Sequence, residues 1–463
     1  MKNILKEIET KYPVDTILVN GEQVWPYLRL ACYFEHVHKA ASEMGEKYPF
    51  PPFAKRLLNM AKNSLYGFNN WFGKYDYVVL SNTLERRSLG GKYFNKLLDP
   101  IIDKLGRDKV LYIEASAPSL YPIKEVYTKN IVCLDLLTLV GVVLEVFKPR
   151  RYVIKNESVL EGIQKAYGLG LDYIKEIKFF NARRRGFDLL FRKVKPKALL
   201  LSNYGGCMPA IKSAKDLGIK VIELQHGTMG KEYAVYNIDA EVDKSYFPDY
   251  LLVFGRNDRK IFDNSCFIEP ENVIPIGSFY IEHVKKNHKP DLDLVKQMSN
   301  YRLSVGVALE WTTEKHVIEF ICQAANLDKT VLYILIPRIH PPEHYSTMSL
   351  PDNVMVIKGK DFYEIMMYVD FHSTVYSTCA LEAPSFGVRN ILINIENLSK
   401  QYYGNVLQDS RITRYADTPA QFVEIIDTFE TLDRDTICRL NEDIIATNYA
   451  ENIQDFIKGH MKS

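Results

Sequence analysis

Leu303-Ser-Val-Gly-Val-Ala-Leu-Glu310 and Val331-Leu-Tyr-Ile-Leu-Ile-Pro337, separated by an amphipathic segment over Thr312–Ala325, decide how this chain folds. Both runs are continuously apolar rather than alternating, as expected of strands covered on both faces, and the segment between them is long enough for a crossover helix. The alternation continues through Val354–Lys358, a helix over Asp361–Tyr368, Asp370–Val375, a helix over Ser377–Phe386, and Arg389–Asn394. Upstream, the same kind of run recurs at Thr16–Asn20, Tyr75–Asn82, Lys109–Glu114, Ala198–Asn203, Lys220–Leu224, Tyr250–Gly255 and Val273–Gly277. Apolar spacing predicts helices over Trp25–Met44 and Lys92–Leu105, with one or two more in Glu157–Arg192. The polar stretch Glu282–Leu294 reads as a linker. The expectation is an α/β protein of two doubly wound domains, 1–285 and 286–463, with a helical tail, Pro419–His460, packing back on the first.

Composition sets the outer limits. The 463 residues are 47% hydrophobic and 25% charged, and 59 Lys and Arg balance 57 Asp and Glu to a formal charge of +2. This is globular composition without the global field that draws a protein to nucleic acid. The seven cysteines (Cys32, Cys133, Cys207, Cys266, Cys322, Cys379, Cys438) form no Cys-x-x-Cys pair, which argues against a zinc ribbon or disulfide framework and for a reducing cytoplasm. The N-terminus lacks the apolar run of a secretory signal. Ile131–Phe147 is too short and too charged, through Asp135 and Glu145, to span a bilayer, and reads as a buried helix. The basic cluster Arg183-Arg184-Arg185 with Arg192, Lys193, Lys195 and Lys197 reads as a solvated helix face or as peripheral contact with the inner face of an anionic membrane.

In doubly wound sheets ligands bind beyond the carboxyl ends of the strands, so the residues following each apolar run are the candidates. Glu223-Leu-Gln-His-Gly-Thr-Met-Gly230 places His226 and Gly227 at a strand mouth; His226, with Glu223 orienting it or replacing it, suits general-base chemistry. Pro337-Arg-Ile-His-Pro-Pro-Glu343 holds His340 between rigid prolines beside the permanent cation of Arg338, a pair suited to a phosphate oxygen. Asp370-Phe-His-Ser-Thr-Val-Tyr-Ser-Thr-Cys-Ala-Leu-Glu382 places His372, Ser373 and Thr374 near a strand end, Ser377 and Thr378 at a helix start where amides attract phosphate, and Glu382 within reach of a ribose. Ser377 and Thr378 read equally as ordinary N-caps, and residues 372–374 as half-buried strand positions. Asn20, Arg29, Glu85, Glu114 and Asn203 follow the N-terminal runs and suit a sugar acceptor; Trp25 and Arg29, one helical turn apart, read equally as a packing pair.

No Walker A loop, Gly-x-Gly-x-x-Gly, His-Glu-x-x-His or Gly-x-Ser-x-Gly is present. Asp291-Leu-Asp293 and Asp433-Arg-Asp435 lie in polar segments and read as solvated charge, so no metal site is expected.

His340-Pro341 followed by Ser377-Thr378 and Glu382 resembles the His-Pro and Ser-Ser motifs of bacterial sialyltransferases and Kdo transferases, and Gln225-His226-Gly227 is similar to the His-Gly loop of bacterial capsule and teichoic-acid polymer transferases. The sequence departs from the sialyltransferase pattern in lacking its paired acidic motif before a glycine, and in having threonine as the second hydroxyl. The resemblance implies a GT-B glycosyltransferase: two Rossmann-like domains facing a cleft, the second holding a nucleotide-sugar, CMP-activated in those families, with no tightly bound cofactor and no metal. The acceptor would be a surface glycan, capsular polysaccharide or lipid-linked glycan. The alternatives are a CDP-polyol phosphotransferase, a sugar-nucleotide 2-epimerase, or a non-catalytic partner in capsule assembly.

Overall fold

The computed structural model describes residues 4–43, 53–116, 119–229, 234–262, 266–310, 312–338 and 340–461, so Met44 and Gly230, the ends of two stretches named above, lie outside the described residues. The chain divides into two units: Met1–Val253 with Arg259–Pro275 and Glu451–Ser463, and Ile276–Ala450 with Phe254–Asp258. The division falls at 275/276 rather than 285/286. The expected linker is folded structure of the second unit, carrying the helices Phe279–Asn287 and Leu292–Met298. Val284 and Leu294 within it, and Tyr280 and Ile281 just before it, are buried, a sparse pattern masked by the charges between them.

The sheet of the first unit comprises β1 (Tyr77–Asn82), β2 (Val110–Ala115), β3 (Ile131–Cys133), β4 (Ala198–Leu201), β5 (Lys220–Leu224), β6 (Tyr250–Val253) and β7 (Val273–Pro275). Their order is β7-β6-β5-β4-β1-β2-β3, parallel throughout, with registers such as Tyr77↔Val110 and Tyr77↔Ala198. Chain direction across the sheet therefore reverses between β1 and β4. Three expectations fail here. Thr16–Asn20 contributes only Leu18–Val19, in a separate small antiparallel sheet. Lys92–Asn95 is the second strand of a hairpin with Arg86–Leu89, leaving only Asp99–Leu105 helical. Ile131–Phe147 divides into β3 and a helix, Asp135–Phe147, whose far end exposes Val142, Val143, Val146 and Phe147.

That helix lies close to the long helix Tyr173–Val194 because each supplies a glycine. A Cβ on Gly141 would stand 1.9 Å from the Ala182 carbonyl oxygen, and one on Gly186 would stand 2.3 Å from that of Leu137. Part of the basic cluster is taken up by internal bonds, while Arg192, Lys195 and Lys197 stay exposed. Arg183 donates to the Gly206 carbonyl, Arg184 pairs with Glu22 and Asp216, Arg185 caps the Leu144 and Lys148 carbonyls, and Lys193 donates to that of Trp71. No helix among the described residues is long and apolar enough to cross a membrane. The last helix, Tyr449–His460, packs its Phe456 and His460 rings on Tyr250 of β6.

The sheet of the second unit comprises β8 (Leu303–Ala308), β9 (Val331–Ile336), β10 (Val354–Val356), β11 (Phe371–Ser373), β12 (Arg389–Ile393) and β13 (Thr413–Ala416). The order is β10-β9-β8-β11-β12-β13, again parallel, so the reversal lies between β8 and β11. The helices Glu314–Leu327 and Pro419–Thr428 pack on one side, burying Val317, Ile321, Phe422 and Ile426 with the strand residues Val305, Tyr333 and Ile391.

Candidate functional site

Each unit carries a polar cluster at the carboxyl ends of the two strands that flank its reversal, the position at which doubly wound sheets generally receive a ligand. In the first unit the cluster centres on Glu85, on the turn after β1. Its Oε2 accepts from Ser81 Oγ (2.9 Å) and Asn95 Nδ2 (3.0 Å), and its Oε1 accepts from Ser202 Oγ (2.5 Å), just past β4. Asn95 Nδ2 also reaches the Tyr112 hydroxyl.

His226, two residues after β5, adjoins this group. The Ser202 backbone lies beside the ring and favours its charged form. His226 is solvent-exposed as a residue, yet the protein crowding the ring lowers its pKa by desolvation. The Glu85 carboxylate opposes that shift and the Lys96 ammonium adds to it. Desolvation thus favours the neutral imidazole, with the Glu85 carboxylate nearby to stabilise the cation formed on proton uptake.

Glu223 does not orient His226. It is buried on β5, where its Oε1 accepts from the Tyr236 hydroxyl (2.6 Å) and the Tyr204 N–H (3.1 Å), and Oε2 has no hydrogen-bond partner among the described residues. Burial pushes its carboxyl up to about 7. Glu85 takes the place expected for Glu223, because the turn after β1 lies nearer the reversal than the side chain within β5.

Other expected acceptor residues are structural. Arg29 is fully enclosed, its guanidinium bonded to Glu9 (2.7 Å) and to the carbonyls of Ala234, Val235 and Asn237. Trp25 Nε1 meets the same carboxylate, so the Trp25/Arg29 spacing is a packing pair. Glu114 is buried against Arg86 (2.6 Å), which also faces Asp99; burial raises Glu114 to about 7 and Asp99 to about 6. Asn20 closes the turn between the two short strands at residues 18–23, at φ 51°, and bonds to the backbone of Arg151 and Val153. Asn203 caps the helix Tyr204–Asp216 through the Gly206 N–H. The Gly227 carbonyl accepts from Gln225 Nε2, which fixes the loop that carries His226.

In the second unit Glu310, two residues past β8, reaches across the reversal. Its Oε1 accepts from Thr374 Oγ1 (2.5 Å) and the Tyr376 N–H (3.0 Å), past β11. Burial raises its pKa, and the Thr374 hydroxyl and the backbone amides of Tyr376 and Ser377 oppose the shift. Arg338, past β9, donates Nη1–H to Ser377 Oγ (2.5 Å). The Cys379 sulfur, Glu382, Tyr363 and Glu310 all favour its charged form against desolvation. Glu382 is buried and accepts from the Tyr363 hydroxyl (2.8 Å).

Arg338, Ser377 and Glu382 therefore gather as expected, with Thr378 beginning a helix of only four residues, Cys379–Glu382. His372, Ser373 and Thr374 are fully buried. His372 bonds Asn390 Oδ1 through Nδ1 (2.8 Å) and burial lowers its pKa to about 4, so it is a neutral core residue, not a phosphate ligand. Ser373 is likewise enclosed, and Thr374 serves Glu310 and the Ala308 carbonyl. His340 departs furthest from expectation. It stacks on His344 (centroids 4.2 Å) with Nε2 3.7 Å from Glu314, and no hydrogen bond among the described residues links it to Arg338 or Ser377. Glu310, Lys96, Asn95 and Tyr363 escaped sequence reasoning; only Glu310, the last residue of an apolar run, carried a usable positional signal.

No family model and no curated protein matches the sequence. Solved structures do match. A protein described as a UDP-N-acetylglucosamine 2-epimerase of Listeria monocytogenes superposes over 83% of this chain and 96% of its own, at 9% identity and a TM-score of 0.50. A spinosyn rhamnosyltransferase matches 82% and 100% at 12% identity (TM-score 0.49), and the Neisseria meningitidis UDP-GlcNAc 2-epimerase bound to UDP-GlcNAc matches 84% and 100% at 11% (TM-score 0.48). At such identities the likeness is one of fold. This chain has the GT-B fold, two Rossmann-like units of parallel sheet.

Proposed function

We propose that this protein transfers a sugar from a nucleotide-activated donor to a hydroxyl acceptor. The observation that carries the reading is the Arg338–Ser377 pair beside Glu310 at the strand reversal of the second unit, a fixed cation and hydroxyl where a sheet of this order receives a nucleotide. Arg338 and Ser377 would meet the charge that develops on the departing phosphate, the usual electrostatic source of rate, without a metal at the reacting centre. His226 would accept the acceptor's proton on a ring nitrogen, and Glu85 would stabilise the resulting imidazolium. A CMP-sugar donor and a surface or lipid-linked glycan acceptor in the cytoplasm are the finer form of the proposal, for which the Ser377-Thr378 and Gln225-His226-Gly227 resemblances speak and the placement of His340 does not. Peripheral membrane contact would fall to Arg192, Lys195 and Lys197, the exposed cations of the basic cluster, since Arg183, Arg184 and Arg185 are bonded internally.

A thermal-shift panel of CMP, CDP, UDP and GDP tests the nucleotide. One of them should raise the melting temperature of the wild type and lose that effect in Arg338→Ala. With the donor in hand, His226→Ala should lower turnover by about 10²–10⁴-fold. Nucleotide binding that is indifferent to Arg338, or turnover within a few-fold of wild type in His226→Ala, refutes the assignment.

The Listeria fold match supports a second reading, a sugar-nucleotide 2-epimerase. Such an enzyme needs no acceptor, so epimer appearing by NMR when the protein is incubated with UDP-N-acetylglucosamine alone would favour it over transfer.

A further inference from the structure

We propose that Glu314, His340 and His344 form a binding site for a borderline divalent transition cation, with Zn²⁺ the natural occupant. This departs from the expectation that the chain holds no metal, and it is independent of the transfer reaction proposed above. One ligand atom from each residue can be chosen so that all three lie within 4.8 Å of one another, and the Glu314 Oε2 to His340 Nε2 distance is 3.7 Å. A tetrahedral ion with bonds of about 2.0–2.2 Å spaces its ligands about 3.4 Å apart, so one pair is already near that separation and the third ligand has only a short way to close. Two imidazoles and one carboxylate select zinc and its neighbours over magnesium or calcium, which prefer all-oxygen shells.

The surroundings hold the set in place. Glu314 begins the helix Glu314–Leu327, and its Oε1 accepts from the Tyr345 hydroxyl, which leaves Oε2 directed at His340. A ligating carboxylate fixed by an outer hydrogen bond is the usual support of a metal centre. Pro341 and Pro342 stiffen the step from His340 to His344, and Pro341–Thr347 is a short helical turn with its N-cap; the two rings stack, 4.2 Å apart and 24° from parallel, so the exposed His344 ring must turn for its in-plane lone pair to converge on the ion. His344 is exposed and Glu314 and His340 are half-buried, so water can complete the coordination. The ion would clamp the loop after β9 to the first turn of the helix after β8. That loop includes Arg338, so the clamp would also limit where that guanidinium can swing.

The test is isothermal titration of Zn²⁺ into tag-free, chelator-treated full-length protein, alongside His344→Ala, Glu314→Gln and Tyr345→Phe. All three side chains lie outside the groups assigned to transfer. A single equivalent should bind saturably, weaken by about 100-fold or more in His344→Ala and Glu314→Gln, and weaken by about 10-fold in Tyr345→Phe. Co²⁺ substitution should give a visible spectrum without thiolate charge transfer, which separates this site from the free cysteines. Unchanged melting of the metal-free variants confirms that they fold. Absence of saturable binding, thiolate bands in the Co²⁺ spectrum, or affinity unaffected by His344→Ala overturns the proposal. None of these readouts depends on nucleotide binding or turnover, so failure here is distinct from failure of the transferase reading.

Discussion

Glu223→Gln isolates the energetic consequence of an ionisable carboxyl buried without a cation. Glu223 has an ordinary value of 4.5, and burial raises it to about 7 in the folded unit. Between those values the folded state binds more protons than the unfolded one, so stability falls as pH rises through the window. A gap of about 2.5 pH units corresponds to about 3 kcal/mol in full, of which about 2.5 kcal/mol is lost between pH 5 and pH 8.5. Glutamine keeps an oxygen to accept from Tyr236 and Tyr204. It places its amide where Oε2 has no partner among the described residues, a pH-independent cost of about 1–3 kcal/mol. The decisive quantity is therefore the slope, not the offset. In a Trp311→Phe background, urea denaturation followed by the fluorescence of Trp25 and Trp71, both in the first unit, should show the protein with Glu223 losing about 2.5 kcal/mol more than the variant between pH 5 and 8.5, equivalent to about 4 °C in melting temperature. Glu114 titrates in the same range but is present in both proteins and cancels. Parallel stability–pH curves for the two proteins would refute the account of Glu223 as a cationless buried carboxyl.

Glu85→Gln removes the charge that opposes the lowering of the His226 pKa, so the NMR-monitored His226 titration should move to lower pH, and with it the acidic limb of any turnover profile. Gly186→Ala forces a methyl against the Leu137 carbonyl and should destabilise the first unit by about 1–3 kcal/mol, read as a lowered urea midpoint. Arg29→Met strands the buried Glu9 carboxylate and frees the 234–237 carbonyls, a loss of about 3–5 kcal/mol, whereas an exposed control such as Lys315→Met should be near neutral.

The regular architecture was legible because parallel strands must be apolar on both faces. β5 matched its run residue for residue, and β1, β2, β4, β6, β8, β9 and β12 fell within a few residues of theirs. Hydrophobic continuity is a local property, so it can be read without knowing what covers each face. The hairpin at residues 86–95 was misread because its second strand runs straight into the helix Asp99–Leu105, so one apolar rhythm spans both. Thr413–Ala416 was missed because an edge strand of four residues, two of them only half-buried, carries little pattern.

Residue chemistry and position past a strand nominate His226, Arg338 and Ser377 as candidates from the chain alone. Which groups face them was decided only in three dimensions. Glu85 and Ser202 are 117 residues apart and Glu310 and Tyr376 are 66 apart, each pair joined by strands made adjacent through the order of the sheet. Sequence spacing records neither that adjacency nor the face on which a side chain emerges. For the same reason Arg29, Glu114 and His372, whose types suggested ligand contact, proved to be enclosed. Burial depends on atoms brought in from distant segments, and it is burial that turns a charged or titratable group from a ligand contact into a structural tie.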